Sequence, residues 1–184
     1  MHGSSIITEV NKLIKRYDET EPAKLCSLMD VKLNRMPMGS SSDSIKGFFL
    51  VDRRIRVITV NSDLPYAIQR IILAHELGHA VLHRASGIHA FHDISLYDES
   101  SLLEKEANLF AAEILLSDDD VYSALRSCGS FYTAAASLNV PPELLDFKCR
   151  LMMSQGYSMP RMSFDAKSSF LKDIKVPEYD EFGC

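Results

Sequence analysis

Five consecutive residues, His75-Glu76-Leu77-Gly78-His79, carry the strongest chemical signal in this sequence, and they lie inside a long helical pattern from Ala67 to His83. At about 100° per residue, positions four apart differ by about 40° around a helix and rise about 6 Å. Both imidazoles therefore share one face and can converge on a single tetrahedral ion. Glu76 falls to the side of that seam, where its carboxylate can take the proton of a water without becoming a ligand. The three residue types fit one chemistry. Neutral imidazole suits zinc, zinc lowers the pKa of a water it holds from about 15.7 to roughly 7, and a carboxylate then accepts the proton. The bland alternative is a pair of satisfied helix-face histidines. Beside Ile72, Leu73, Ala74, Leu77 and Val81, two imidazoles without partners would be costly. Gly78 costs about 1 kcal/mol in a helix relative to alanine, which makes sense if another segment or a substrate approaches closely there.

The pattern H-E-x-x-H is that of zinc metalloproteases. A catalytic zinc site takes three protein ligands and leaves one position open, so a third donor is needed. A second helical pattern, Glu99 to Leu116, offers Glu104, Glu106 and Glu113. Helix phase alone does not choose among them, and a solvated acidic face is the ordinary reading of any one.

The surrounding elements must position these groups. Ile6, Val10, Leu13, Ile14 and Tyr17 recur at helical spacing near the N-terminus. A short helix over Ala23 to Leu28 and a strand over Met29 to Leu33 follow, then the polar loop Gly39-Ser-Ser-Ser-Asp43. Gly47 to Val51 and Ile55 to Val60 are rich in aromatic and β-branched residues and form a hairpin about Asp52-Arg53-Arg54. Asn61, Ser62 or Asp63 can cap the histidine-bearing helix, with Pro65 in its first turn. Beyond the second ligand-bearing helix, Ser117-Asp-Asp-Asp120 reads as a stop and a new cap. Phe131 to Leu138 and Glu143 to Met153 then read as a helical pair. The expected fold is α+β: a small, mainly antiparallel sheet packed on the H-E-x-x-H helix and a second ligand-bearing helix, with further helices at both ends. Residues 1–153 form the expected domain. Residues 154–184, with Gly156, Pro160, Pro177 and Gly183, lack periodicity and read as an extended or partly disordered tail.

The chain has 184 residues, 46% of them hydrophobic and 24% charged, which is enough for one domain with a core. A net charge of −5 gives no chain-wide attraction for nucleic acid or anionic membrane, so direct nucleic-acid binding is not expected. No apolar run approaches the roughly 20 residues of a membrane-spanning helix, and Lys12, Lys15 and Arg16 stand where a signal core would be. The four cysteines, Cys26, Cys128, Cys149 and Cys184, are scattered without a CxxC pair. That pattern indicates reduced thiols and a cytoplasmic location rather than a disulfide framework.

Two stretches together make the pattern more specific. Leu73-Ala-His-Glu-Leu-Gly-His-Ala-Val-Leu-His83, followed by Glu106-Ala-Asn-Leu-Phe-Ala-Ala-Glu-Ile-Leu-Leu116, resembles the ImmA/IrrE family of metallopeptidases. The hairpin from Gly47 to Asn61 extends the resemblance, which covers about residues 6 to 150. It implies a gluzincin-like site in which His75, His79 and Glu106, the glutamate directly before Ala-Asn, bind Zn2+ and Glu76 is the base. It also implies a bacterial or mobile-element enzyme with a protein substrate, a DNA-binding repressor being the expected kind. A zinc fold that binds such a repressor without cutting it is the alternative. One departure is local: the family's usual Met-Pro after Leu-Leu is Ser117-Asp118 here. His83, one turn beyond His79, is a candidate for orienting a ligand or contacting substrate, and His83, His89, His92 and Tyr97 are the candidates for stabilising an oxyanion.

Overall fold

Residues 3–41, 43–83 and 101–159 are described by the computed structural model. Among them the chain forms, in order, α1 (Gly3–Tyr17), α2 (Pro22–Leu28), β1 (Val31–Met36), β2 (Gly47–Asp52), β3 (Ile55–Asn61), α3 (Tyr66–Leu82), α4 (Leu102–Leu115), α5 (Asp118–Ser127), α6 (Phe131–Ser137) and α7 (Pro142–Ser154). The α+β class expected from the sequence is the one found. His2, His89, His92, Tyr97 and Cys184 lie outside the described residues, as does the expected tail beyond residue 159.

Local sequence explains most boundaries. Helix α1 buries Ile6, Ile7, Val10 and Leu13 along one stripe and stops where Asp18 adopts φ 50°, a left-handed conformation that Asp tolerates better than most residues. Helix α2 starts at Pro22, where a missing N–H costs nothing. Ser117 caps α5 by accepting a hydrogen bond from the Asp120 amide, as its sequence position suggested. Helix α7 ends before Gly156, whose φ of 94° turns the chain away.

The sheet has the order β1-β3-β2. Strands β2 and β3 pair antiparallel, and the pairing of Asp52 with Ile55 leaves Arg53 and Arg54 as a two-residue turn. Both turn residues have positive φ, 43° and 72°, which suits strand twist but costs about 1–2 kcal/mol per residue bearing a Cβ. Strand β1 runs parallel to β3, from Val31 opposite Arg56 to Met36 opposite Asn61. The antiparallel expectation thus holds for the hairpin, and the sheet as a whole is mixed. Met36 and Gly47 both lie level with the C-terminal end of β3, opposite Asn61 and Val60. Residues 37–46 therefore cross that end from one edge of the sheet to the other, which sets β1 parallel to β3.

Asn61 holds this crossing in place. Its buried side chain accepts from the amides of Met38 and Asp63, at 3.2 and 3.0 Å, and donates to the carbonyls of Gly39 and Ile45, at 2.7 and 2.9 Å. It does not cap α3. The N-cap there is Pro65, without a side-chain cap.

Helix α3 packs between the sheet and α4, and every residue from Ile71 to Ala80 is buried. A helix covered on several sides carries no polar face, so its His75, Glu76 and His79 are exceptions that require partners. Gly78 is the point of closest approach: a Cβ there would lie 3.1 Å from Cβ and Cδ1 of Phe110 and 3.2 Å from Cα of Ala107. The segment anticipated against Gly78 is therefore α4. A Gly78→Ala variant gains about 1 kcal/mol of helix propensity but meets an overpacking cost of about 1–3 kcal/mol, because the Ala107 backbone cannot rotate away. Thermal unfolding of the metal-free protein should show net destabilisation. An unchanged or raised midpoint would mean that α4 shifts freely. At the far end, buried Lys148 joins α7 to Glu113 of α4 at 2.7 Å and to Asp118 of α5 at 2.5 Å.

Candidate metal centre

His75 and His79 stand one turn apart on α3, exposed by 0% and 1%, and their Nε2 atoms approach to 3.1 Å. Glu104, in the first turn of α4, completes the cluster. Its Oε2 lies 3.1 Å from His75 Nε2 and its Oε1 3.4 Å from His79 Nε2. Bonds of about 2.0–2.1 Å to a tetrahedral ion place neighbouring donors about 3.3–3.4 Å apart. The spacing observed is close to that of three corners of such a tetrahedron.

The chemistry of the donors agrees with their spacing. Asn108, one turn after Glu104, places Oδ1 2.9 Å from His75 Nδ1. His75 Nδ1–H donates to that oxygen, which directs the Nε2 lone pair inward. Electron-rich atoms gathered out of reach of water call for a positive charge between them, a shared proton or a metal ion. The charge distribution points the same way. Burial alone would lower the pKa of His75, but the hydrogen bond to Glu104 and the charge of Glu76 outweigh it, and the net shift is upward. Burial would raise Glu104, yet its hydrogen bonds with His75 and His79 hold it at about 2. His79 is lowered, chiefly by burial. A divalent ion entering the cluster would meet an ionised carboxylate and displace protons only from imidazole.

Glu76 is 1% exposed and lies where α3 meets the head of β2. A Cβ on Gly47 would fall 2.5 Å from Ile72 Cγ2 and 3.8 Å from Glu76 Cγ. Only glycine lets the first residue of β2 sit that close to the helix face carrying Glu76.

The three carboxylates of α4 go to three different places. The structure brings Glu104, not Glu106, to the histidine pair. Glu106 Oε2 lies 3.1 Å from His83 Nε2, and Glu113 Oε2 pairs with Lys148. The reason is angular: residues two apart on a helix differ by about 200° around its axis, so Glu104 and Glu106 cannot both aim at one point. None of the three is a solvated surface group. His83 occupies the C-cap of α3, with Nδ1 2.9 Å from His79 Nδ1. Burial and the neighbouring His79 push its pKa down to about 4, so it is neutral at physiological pH.

Comparison with known proteins adds to this geometry. Residues 26–150, 125 of the 184, match the IrrE N-terminal-like domain family of peptidases. The chain belongs to this family. Membership supports a metallopeptidase of the ImmA/IrrE type, in agreement with the resemblance of its two motifs. Similar proteins include uncharacterized immunity region protein 2 of Bacillus phage phi105, 33% identical over 139 residues, covering 76% of this chain and 85% of that one. Metallopeptidase ImmA of Bacillus subtilis (strain 168) is 27% identical over 142 residues, covering 76% and 81%.

In this ImmA/IrrE-type protein, three contributors to the centre are not assigned by sequence alone. Asn108 is visible as part of Ala-Asn, and its place four residues after Glu104 on the same helix face is the available signal. Gly47 carries none, because a close approach between a strand and a helix distant in sequence leaves no local pattern. Glu104 is one of three candidates whose separation requires the packing of α4 on α3.

Proposed function

We propose that this protein is a zinc-dependent endopeptidase that hydrolyses a peptide bond in a specific protein, a DNA-binding transcriptional repressor, in the bacterial cytoplasm. What carries the reading is the pooling of His75 Nε2, His79 Nε2 and the Glu104 carboxylate within 4.8 Å of one another, with Glu76 adjacent in sequence and buried. In this reading these three residues hold Zn2+, to which a His2-carboxylate donor set is suited. Zinc supplies Lewis acidity, which makes water acidic near neutral pH and polarises the carbonyl to be cut. Glu76 takes the proton of the attacking water and delivers it to the departing amine. Asn108 keeps His75 in the tautomer that presents Nε2. Strand β2 is an outer strand of the described sheet and begins beside Glu76, which puts a substrate segment lying along it within reach of the base.

The choice of substrate is supported by the family resemblance and by the relative named for a phage immunity region. Burial raises the thiols of Cys26 and Cys149 to about 12 and about 11. Such inert thiols suit a reducing cytoplasm. No described helix is long and apolar enough to cross a membrane.

The test is to incubate the zinc-loaded protein, and a Glu76→Gln control, with repressors encoded beside its gene. Mass spectrometry should find one defined cut with the parent and none with the control. Stable complexes with both forms and no cut under any activating condition would favour the non-cleaving regulatory binder instead.

A further inference from the structure

Beyond the three donors, buried polar groups continue in a line. Glu106 Oε2 is 3.1 Å from His83 Nε2, and His83 Nδ1 is 2.9 Å from His79 Nδ1. The side chains of His83 and Glu106 are each 5% exposed, so water does not substitute for these contacts. An ionised carboxylate only accepts hydrogen bonds, so His83 donates its Nε2–H to Glu106. A neutral imidazole protonated at Nε2 has a lone pair at Nδ1, and the group facing that lone pair must donate. That group is His79 Nδ1–H. A neutral His79 protonated at Nδ1 then has its lone pair on Nε2, the atom that faces His75 and Glu104. One carboxylate thus determines, through two imidazoles, which nitrogen of His79 is free to bind.

We propose that Glu106 and His83 are positioning residues, a carboxylate–imidazole relay that holds His79 in its Nδ1–H tautomer and aims Nε2 at the metal. The proposal rests on the reading that His75, His79 and Glu104 bind the ion, and it gives Glu106 a part in the site without ligation. His75 is held differently: its Nδ1–H meets the neutral amide oxygen of Asn108. The two ligand imidazoles are therefore unequal by construction, with a carboxylate behind His79, through His83, and a neutral amide behind His75. Charge delivered through hydrogen bonds makes an imidazole a stronger donor.

The experiment measures zinc affinity of the full chain by competition with a chromophoric chelator, with circular dichroism and thermal unfolding of each metal-free variant as fold controls. His83→Leu is expected to weaken zinc binding about 10–100-fold, the usual effect of losing an outer partner. His83→Gln, whose amide oxygen can accept from His79 Nδ1–H, should recover most of that loss. Glu106→Gln, which keeps an acceptor oxygen but no charge, should fall between parent and His83→Leu. A pair with only a structural role would lower the unfolding midpoint of the metal-free protein and leave zinc affinity unchanged. Nitrogen-15 correlation spectra of the zinc-loaded parent should show His83 as the Nε2–H tautomer, a readout that needs no variant to fold. A folded His83→Leu protein that binds zinc within about threefold of the parent, well short of the expected loss, would overturn the relay, as would an Nδ1–H tautomer of His83. A parent that itself fails to bind zinc would overturn the proposed function as well, which separates the two failures.

Discussion

Glu76→Gln is expected to keep the fold and bind zinc as the parent does, and to lose hydrolysis by about 10²–10⁴-fold, the range attributed to general base catalysis. The amide is nearly isosteric with the carboxylate, so the space between α3 and the head of β2 stays filled, and Ile72 and Gly47 keep their contact. What disappears is the ability to take a proton. The position is 1% exposed, and bulk solvent is poorly placed to act as a substitute base. The measurement is single-turnover cleavage of the protein substrate with zinc content determined on the same sample. Activity within a few-fold of the parent at equal zinc would remove Glu76 from the mechanism.

Glu104→Ala should have the second large effect. It removes one of three donors, and it leaves two imidazole nitrogens 3.1 Å apart without the carboxylate that balances their positive partner. Zinc affinity is expected to fall by more than the roughly 10–100-fold associated with outer hydrogen-bond partners, and a His75→Ala/His79→Ala double variant should bind no stoichiometric zinc at this centre. Chelator competition on the three proteins, with Glu106→Gln alongside, ranks the two glutamates directly. If Glu106→Gln lost as much zinc affinity as Glu104→Ala, the third ligand would have to be reassigned to Glu106. The separate destinations of the two carboxylates, the histidine pair for one and His83 for the other, argue for the ranking given.

Several features are legible in the sequence because they are short-range. A helix repeats every 3.6 residues and a strand every two, which places His75, Glu76 and His79 on one helix, with both histidines on one face. The hairpin about Arg53 and Arg54, the Ser117 cap and the helical pair before residue 154 follow from the same local rules. The close contact at Gly78 is also readable, since a glycine inside a buried helix has few other uses.

What the sequence leaves open are relations between segments far apart along the chain. The direction of β1 depends on residues 37–46 crossing the end of β3, and Asn61, readable as a helix cap, is instead occupied by the four hydrogen bonds that hold the crossing. Which nitrogens face the centre is decided by Asn108 and His83, partners on another helix and at a helix end. The third donor is decided by the rotation of α4 about its own axis. That rotation is set where Ala107 and Phe110 close on Gly78, and it turns Glu104 to the histidines and Glu106 to His83. Periodicity fixes the angle between residues of one helix but not the angle at which two helices meet, which only the packing of their side chains determines.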